Sequence, residues 1–174
     1  MIKEENILFK EVKILQPEIY FDERGYFFES FNENSFDLNI KFVQENESKS
    51  AKGCLRGIHY QISPYEQSKL VRVVKGEIQD IVVDLREESA TYMKYVSIIL
   101  NDSNKLQLFI PRGFGHGFLT LSDEAIVTYK VDSFYNQISE KGIKYNDPNI
   151  GIVWELNDSE IFISSKDENL PYLK

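Results

Sequence analysis

The sequence predicts an all-β fold of the sandwich or barrel class with a few short helices, and a jelly roll fits the number of strand candidates. Three observations support this prediction. Short stretches rich in β-branched and aromatic residues recur, glycine- and proline-containing turns separate them at short intervals, and few segments have helical apolar spacing. The 174 residues are 42% hydrophobic and 28% charged, which suits one domain, residues 1–174, with a sizeable core.

The strand candidates begin in the aromatic N-terminal third of the chain. Two aromatic stretches, 19–21 and 26–31, flank a turn formed by Asp22 to Gly25. The clearest hairpin joins residues 70–74 to residues 77–85 through a Lys-Gly turn, and both arms are rich in valine and isoleucine. The further strand candidates are the segment that contains His59 and residues 95–100, 107–110, 117–121 and 125–131.

Helix is scarce in the apolar pattern. Residues 33–38 predict one or two helical turns, and the tail after Ile150 has room for another short helix.

Charge and targeting signals narrow the classes of function. The net charge of −8 argues against a general surface for nucleic acid or membrane, so an anionic ligand would require a local cationic pocket. No apolar run approaches the roughly 20 residues that span a bilayer, and residues 1–5 lack the apolar core of a signal peptide. The single cysteine, Cys54, cannot form an internal disulfide. We therefore expect a cytoplasmic protein.

One of only two histidines lies among cations and amides. His59 belongs to the segment Arg56 to Gln61, and Lys69 to Arg72 follow a few residues later. A histidine titrates near neutral pH, while arginine and lysine hold phosphate or stabilise a developing oxyanion. The segment thus suits proton transfer on an anionic substrate, although a histidine packed inside a barrel would leave the same pattern.

Metal catalysis is disfavoured by the ligand count. Only His59 and His116 are present, which excludes a three-histidine site, and no His-x-His spacing occurs. A site of two histidines and one carboxylate would need a carboxylate placed by the fold, and we expect no metal and no other cofactor. His116 lies in the glycine-rich segment 110–118, which is either a tight loop with an incidental histidine or a loop that aims a donor at substrate.

A series of segments matches one known family in order over nearly the whole chain. The segments are residues 21–31, 42–50, 52–61, 67–72, 84–86, 110–118, 129–130, 146–148, 152–154 and 164–167. Together they resemble the dTDP-4-dehydrorhamnose 3,5-epimerase family, and several long motifs in order are far more specific than one short pattern. The resemblance implies a metal-independent, cupin-type double-stranded jelly roll, a homodimer, and action on a dTDP-linked 4-keto-6-deoxyhexose.

The resemblance also implies roles for single residues. His59 would be the base, Asp167 its orienting partner, Tyr129 the acid on the opposite face of the sugar, and Lys69 the cation at the enolate oxygen. Further positions match residues that bind the nucleotide sugar, with Glu45 contributing through its backbone. They are Arg24, Glu29, Gln44, Glu45, Asn46, Arg56, His116, Glu140 and Lys166.

Some positions depart from the family pattern without touching the proton-transfer set. Glu47 replaces a common histidine, Gly115 a common alanine, and Phe134 and Tyr145 a common tyrosine and tryptophan. Beside conversion of dTDP-4-dehydro-6-deoxy-D-glucose to dTDP-4-dehydro-L-rhamnose, two alternatives therefore stay open. One is a C3-only epimerase or keto-isomerase on a related nucleotide sugar, and the other is a non-catalytic binding module.

Overall fold

Antiparallel strands form almost all of the regular structure in the computed structural model, which describes residues 3–5 (backbone only), 8–34, 36 and 38–173. The strands are β1 (Lys3–Glu5), β2 (Lys13–Gln16), β3 (Tyr20–Asp22), β4 (Gly25–Phe27), β5 (Gln44–Ala51), β6 (Leu55–Gln61), β7 (Lys69–Lys75), β8 (Glu77–Asp84), β9 (Tyr95–Asn101), β10 (Gln107–Ile110), β11 (Phe114–Thr120), β12 (Glu124–Val131) and β13 (Glu140–Gly142). A 3-10 turn at Asp158–Glu160 and a short helix, α1, at Ser165–Glu168 follow.

Two antiparallel sheets pack face to face, as the sequence predicts. The six-stranded sheet has the order β1-β2-β10-β7-β12-β5, and the five-stranded sheet has the order β13-β6-β11-β8-β9. The core between them takes Val71 and Val127 from the first sheet and Ile78, Val82 and Phe118 from the second. Burial of these side chains is the main favourable contribution to folding.

Strand β8 is buried on both of its faces. Ile78 and Val82 point into the core between the sheets, while Ile81 and Val83 point the other way, into a second cluster with Ile150. Because side chains alternate along a strand, a strand that is buried on both faces carries apolar residues on each of them. The C-terminal segment therefore covers the outer face of the five-stranded sheet.

The aromatic N-terminal segment differs from its prediction. The predicted strand at 26–31 ends at Phe27, and β3 and β4 form a hairpin that belongs to neither large sheet. Phe31 instead packs its ring against Phe36 and Phe42, with centroids 5.5 Å apart in each pair. On the hairpin, Phe21 and Phe27 remain 76% and 67% exposed.

The two helical predictions have different outcomes. The prediction at 33–38 includes positions outside the described residues, and the described part contains a single turn in which the Phe36 N–H donates to the Asn32 carbonyl at 3.2 Å. The short helix expected after Ile150 is confirmed as α1. No helix in the described part of the chain is long and apolar enough to cross a bilayer.

Candidate active site

A pocket of about 490 Å³ opens between the two sheets. Strands β5, β7 and β12 of the six-stranded sheet form one wall, β6 and β11 of the other sheet form the opposite wall, and β13 and α1 border it. Ten of the predicted site residues line it. They are Gln44, Asn46, Arg56, His59, Lys69, His116, Tyr129, Glu140, Lys166 and Asp167.

His59 and Asp167 form a pair whose members come from different parts of the chain. His59 Nε2 lies 2.9 Å from Asp167 Oδ1. The carboxylate is held in place because Ser164 Oγ accepts the Asp167 N–H at 3.1 Å and the Gly57 N–H donates to Oδ2 at 3.4 Å. Burial raises the pKa of Asp167, but the hydrogen bond with His59 and the charge on its ring outweigh that effect and leave the pKa below its usual value. The pair thus resembles those in which a carboxylate orients a general base.

Strand β6 approaches β11 closely just before His59. Gly57 has φ +114°, and a Cβ there would lie 2.6 Å from Gly117 Cα, so only glycine fits. The register between the two strands shifts between His116 and Phe118, and His116 is the direct cross-strand partner of His59. Irregularities of this kind re-aim side chains next to functional sites.

Tyr129 and Lys69 enter the pocket from the opposite sheet. Burial raises the pKa of the Tyr129 phenol, against the opposing effects of a hydrogen bond with Asn46 and the charge of Arg56, so the phenol holds its proton at neutral pH. Burial lowers the pKa of Lys69 to about 8, while the charges of Asp80 and Glu140 act in the other direction. The wall facing His59 therefore carries a proton donor beside a cation.

Glu140 connects several polar groups at the rim. Its Oε2 accepts hydrogen bonds from the Tyr135 hydroxyl and from Lys166 Nζ, each at 2.7 Å, and its Oε1 lies 3.9 Å from His59 Nδ1. Burial raises the pKa of Glu140, but the bonds from Lys166 and Tyr135 outweigh this, and the pKa falls below its usual value. The rim thus holds its carboxylate charged at neutral pH.

The cations expected for an anionic ligand are present in the pocket. Arg56 donates from Nε to Ser50 Oγ at 2.9 Å and from Nη2 to the Lys49 carbonyl at 3.2 Å. Lys69 and Lys166 line the same pocket. These three cations outnumber the two carboxylates of the pocket, Glu140 and Asp167, so the cleft has a local excess of positive charge in a protein of net charge −8.

His116 has a carboxylate partner that the motif analysis missed. Its Nε2 lies 3.0 and 2.9 Å from the two oxygens of Asp80, whose side chain is fully buried. The sequence contained a signal for this pair, because Asp80 lies in the middle of the predicted strand 77–85, directly before Ile81, and a carboxylate that a strand buries needs a partner. In the described part of the chain, no three His, Cys, Asp or Glu side chains are grouped to hold a metal ion.

Three of the predicted binding residues lie away from the pocket. Arg24, on the exposed β3–β4 turn, pairs with Asp22, and Glu29 accepts a hydrogen bond from Asn32 Nδ2 at 2.7 Å. Glu45 points to the outer face of β5, where it accepts a bond from Lys130 Nζ at 2.7 Å. The Glu45 side chain therefore faces away from the pocket, although its backbone is part of β5, the strand that borders the pocket.

Two glutamines line the pocket, and the sequence analysis assigned neither of them a role. Gln61 receives the Asn136 N–H at 2.7 Å, and Gln67 Nε2 donates to the Ser133 carbonyl at 2.7 Å. Both lie within segments that match the family, so their place in the motifs was visible although their function was not. They fix the loop that carries Tyr135 over the pocket.

Comparison with known proteins gives consistent results. A family model described as dTDP-4-dehydrorhamnose 3,5-epimerase matches residues 6–174. A relative of the same description from Methanothermobacter thermautotrophicus is 51% identical over 160 residues, which cover 90% of this chain and 86% of the relative.

Solved structures extend the comparison to the fold. The dTDP-6-deoxy-D-glucose-3,5-epimerase from Legionella pneumophila, in complex with dTDP-4-keto-L-rhamnose, has a TM-score of 0.95 and 43% identity, covering 99% of this chain and 93% of that one. A 3'-monoepimerase from Streptomyces bikiniensis, in complex with dTDP-quinovose, has a TM-score of 0.89 and 32% identity, covering 95% and 85%. These similarities confirm the predicted cupin-type jelly roll.

Proposed function

The chain belongs to the dTDP-4-dehydrorhamnose 3,5-epimerase family, and we propose that its pocket converts dTDP-4-dehydro-6-deoxy-D-glucose to dTDP-4-dehydro-L-rhamnose. One observation carries the proposal: the His59–Asp167 pair shares a pocket with Tyr129 and Lys69, which enter from the opposite sheet. Epimerisation needs a base on one side of a carbon and an acid on the other, and two facing sheets provide the two sides.

The chemistry follows from the keto group at C4. Loss of a proton from C3 or C5 leaves a carbanion that is delocalised onto the C4 oxygen as an enolate. His59 takes the proton, Asp167 fixes the imidazole and stabilises its charged form, and Lys69 faces the enolate oxygen. Tyr129 then returns a proton to the opposite face of the carbon, which inverts it.

The remaining pocket residues suit recognition of a nucleotide sugar. Arg56 and Lys166 are the groups best suited to the diphosphate, because guanidinium and ammonium groups bind phosphate oxygens. Gln44, Asn46, His116 and Glu140 line the same pocket and offer neutral and charged hydrogen-bonding groups to the rest of the ligand.

A homodimer forms part of the proposal. The β3–β4 hairpin exposes Phe21 and Phe27 and belongs to neither large sheet, which suits an arm that docks on a second copy. Arg24 and Glu29, on and next to this arm, would then serve the pocket of the partner subunit. Light scattering should give twice the chain mass of 20.3 kDa, and a monomer at working concentration would contradict the dimer.

Proton NMR in deuterium oxide tests the proposed reaction. We expect both the C3 and the C5 signals of dTDP-4-dehydro-6-deoxy-D-glucose to disappear with catalytic amounts of the protein, and we expect the activity to survive exhaustive chelation. Loss of the C3 signal alone would indicate a 3-epimerase or keto-isomerase. Binding without exchange would indicate a non-catalytic module.

A further inference from the structure

Lys105 is a buried cation that contacts the β3–β4 hairpin. The residue is only 8% exposed, and its Nζ donates to the Tyr26 hydroxyl at 2.9 Å. The same ammonium lies 4.5 Å from the centre of the Tyr26 ring and 5.9 Å from that of Phe28. In the described part of the chain, no carboxylate forms an ion pair with Lys105. A buried ammonium needs compensating partners, and here the hairpin supplies them.

The backbone at Lys105 indicates that its side chain is needed. Lys105 lies in the turn between β9 and β10 and has φ +53°, in the left-handed region that glycine adopts without a steric cost. Such a conformation at another residue persists only where the surrounding structure imposes it. Glycine would form the same turn with less backbone strain, so the contacts of the lysine side chain with the hairpin offset that strain.

A second contact fixes the hairpin to the outer face of the six-stranded sheet. Gln107 Nε2 donates to the Ser30 carbonyl at 2.9 Å, just after the hairpin. The next residue, Leu108, points into the core between the sheets, so Gln107 points to the opposite face. The pocket lies on the inner face of this sheet, and no residue of β10 lines it. The hairpin is therefore attached on the far side of the sheet from its own pocket.

We propose that Lys105 is a positioning residue that fixes the direction of the β3–β4 hairpin, so that Arg24 and Glu29 reach the pocket of a second copy of the chain. The inference rests on the proposed function and its homodimer. Neither Arg24 nor Glu29 lines the pocket of its own chain. A two-stranded hairpin is marginally stable by itself, and this one belongs to neither large sheet, so its direction depends on its attachments.

The test is Lys105→Met, which keeps the apolar stem of the side chain and removes its charge and its donors. We expect the affinity for dTDP, measured by calorimetric titration, to fall about tenfold, because the hairpin must then be ordered when the ligand binds. The value of kcat should change little, since the proton-transfer groups are untouched.

Two further variants make the test specific to the hairpin. Lys144 Nζ lies 5.5 Å from the centre of the Tyr172 ring, outside the hairpin and the pocket, so Lys144→Met removes a comparable contact and should leave the affinity for dTDP unchanged. Tyr26 is 54% exposed, so Tyr26→Phe removes the hydroxyl without disturbing the core. It should lower the affinity in the same direction as Lys105→Met by a smaller factor.

Mixed dimers distinguish positioning across subunits from an effect within one subunit. A His59→Asn subunit keeps an intact hairpin, and a Lys105→Met subunit keeps an intact pocket. When the two are co-expressed with different affinity tags and the mixed dimer is purified, the intact hairpin serves the intact pocket. We therefore expect kcat/KM per intact His59 to return to near the wild-type value.

Three results would overturn the inference. They are an unchanged affinity for dTDP in both Lys105→Met and Tyr26→Phe, mixed dimers that stay as weak as Lys105→Met alone, and a monomeric wild-type protein. The proposed reaction fails separately. A wild-type dimer that binds dTDP but does not exchange the C3 and C5 protons of the nucleotide sugar would contradict the reaction, while the dTDP affinities would still decide the role of Lys105. A wild-type protein that does not bind dTDP would overturn both.

Discussion

Two close histidine–carboxylate pairs in the described part of the chain are neighbours, yet they are built differently. His59 and His116 are cross-strand partners on β6 and β11. Asp167 reaches His59 from α1, outside both sheets, and the His59 side chain keeps 25% of its surface exposed. Asp80 reaches His116 from the adjacent strand β8, and the two side chains are 8% and 0% exposed. The His59 side chain is thus the more exposed of the two, although both histidines line the pocket.

The difference shows how the same pair of groups serves two purposes. His59 Nδ1 is buried and has no hydrogen-bond partner among the described residues, while Asp167 holds Nε2. His116 Nε2 is shared by both oxygens of a fully buried carboxylate, which fixes the ring and offsets a charge deep in the fold. Accessibility, rather than the pairing itself, distinguishes the proposed base from the supporting histidine.

The largest expected effect comes from removing the proposed base. His59→Asn should lower kcat by about a thousandfold, because general acid–base catalysis contributes roughly that much, while affinity for the nucleotide sugar changes little. Steady-state kinetics and calorimetric titration measure the two quantities. His116→Asn is the matched variant and should lower kcat far less while reducing stability more. Equal losses of kcat in both variants would remove the distinction between the pairs.

The carboxylates extend the comparison to a smaller effect. Asp167→Asn should lower kcat by about a hundredfold, the low end of the contribution of general acid–base catalysis, because an amide no longer stabilises the charged form of the imidazole. Asp80→Asn should instead lower the free energy of unfolding by about 1–3 kcal/mol, since it disturbs a buried hydrogen bond. Urea denaturation and kcat at pH 7 separate the two outcomes. A large loss of kcat in Asp80→Asn at unchanged stability would give both carboxylates the same role.

The fold was predictable where burial leaves an apolar pattern. The β7–β8 hairpin follows from its valines and isoleucines, because those strands face the core. The apolar pattern does not predict β5, because its inward side chains are Gln44, Asn46, Ser48 and Ser50. On that side of β5 a pocket takes the place of the core. The inward-facing positions of the strand are therefore polar instead of apolar.

The site was predictable only in part from the residues themselves. Spacing alone cannot bring Asp167 to His59, since the two lie on different elements far apart in sequence; the family resemblance supplied that pairing. Asp80 was the opposite case. Its position inside a buried strand was visible in the sequence, but its partner was defined only by the register of β8 and β11.

The smallest expected effect concerns the pH dependence of kcat/KM. It links the His116–Asp80 pair to the catalytic groups through Lys69. Lys69 has a pKa lowered to about 8 by burial, so it is charged below that pH and neutral above it. Because only the charged form stabilises the enolate oxygen, kcat/KM should fall as the pH rises, with a slope that approaches tenfold per pH unit above the pKa of Lys69. Lys69→Arg should remove this basic limb, since arginine stays charged.

Asp80 should shift that basic limb although it does not touch the proposed base. The charges of Asp80 and Glu140 both raise the pKa of Lys69, so Asp80→Asn should lower the pKa and move the limb to lower pH. Asp167→Asn should leave its position unchanged at a lower maximum, because Asp167 acts on His59 instead. Profiles of kcat/KM from pH 6 to 9.5 measure both shifts. If the basic limb stays in place in Asp80→Asn, the His116–Asp80 pair has a structural role only. The predicted shift would show that the charge of Asp80 helps to set the pKa of Lys69 and so affects catalysis.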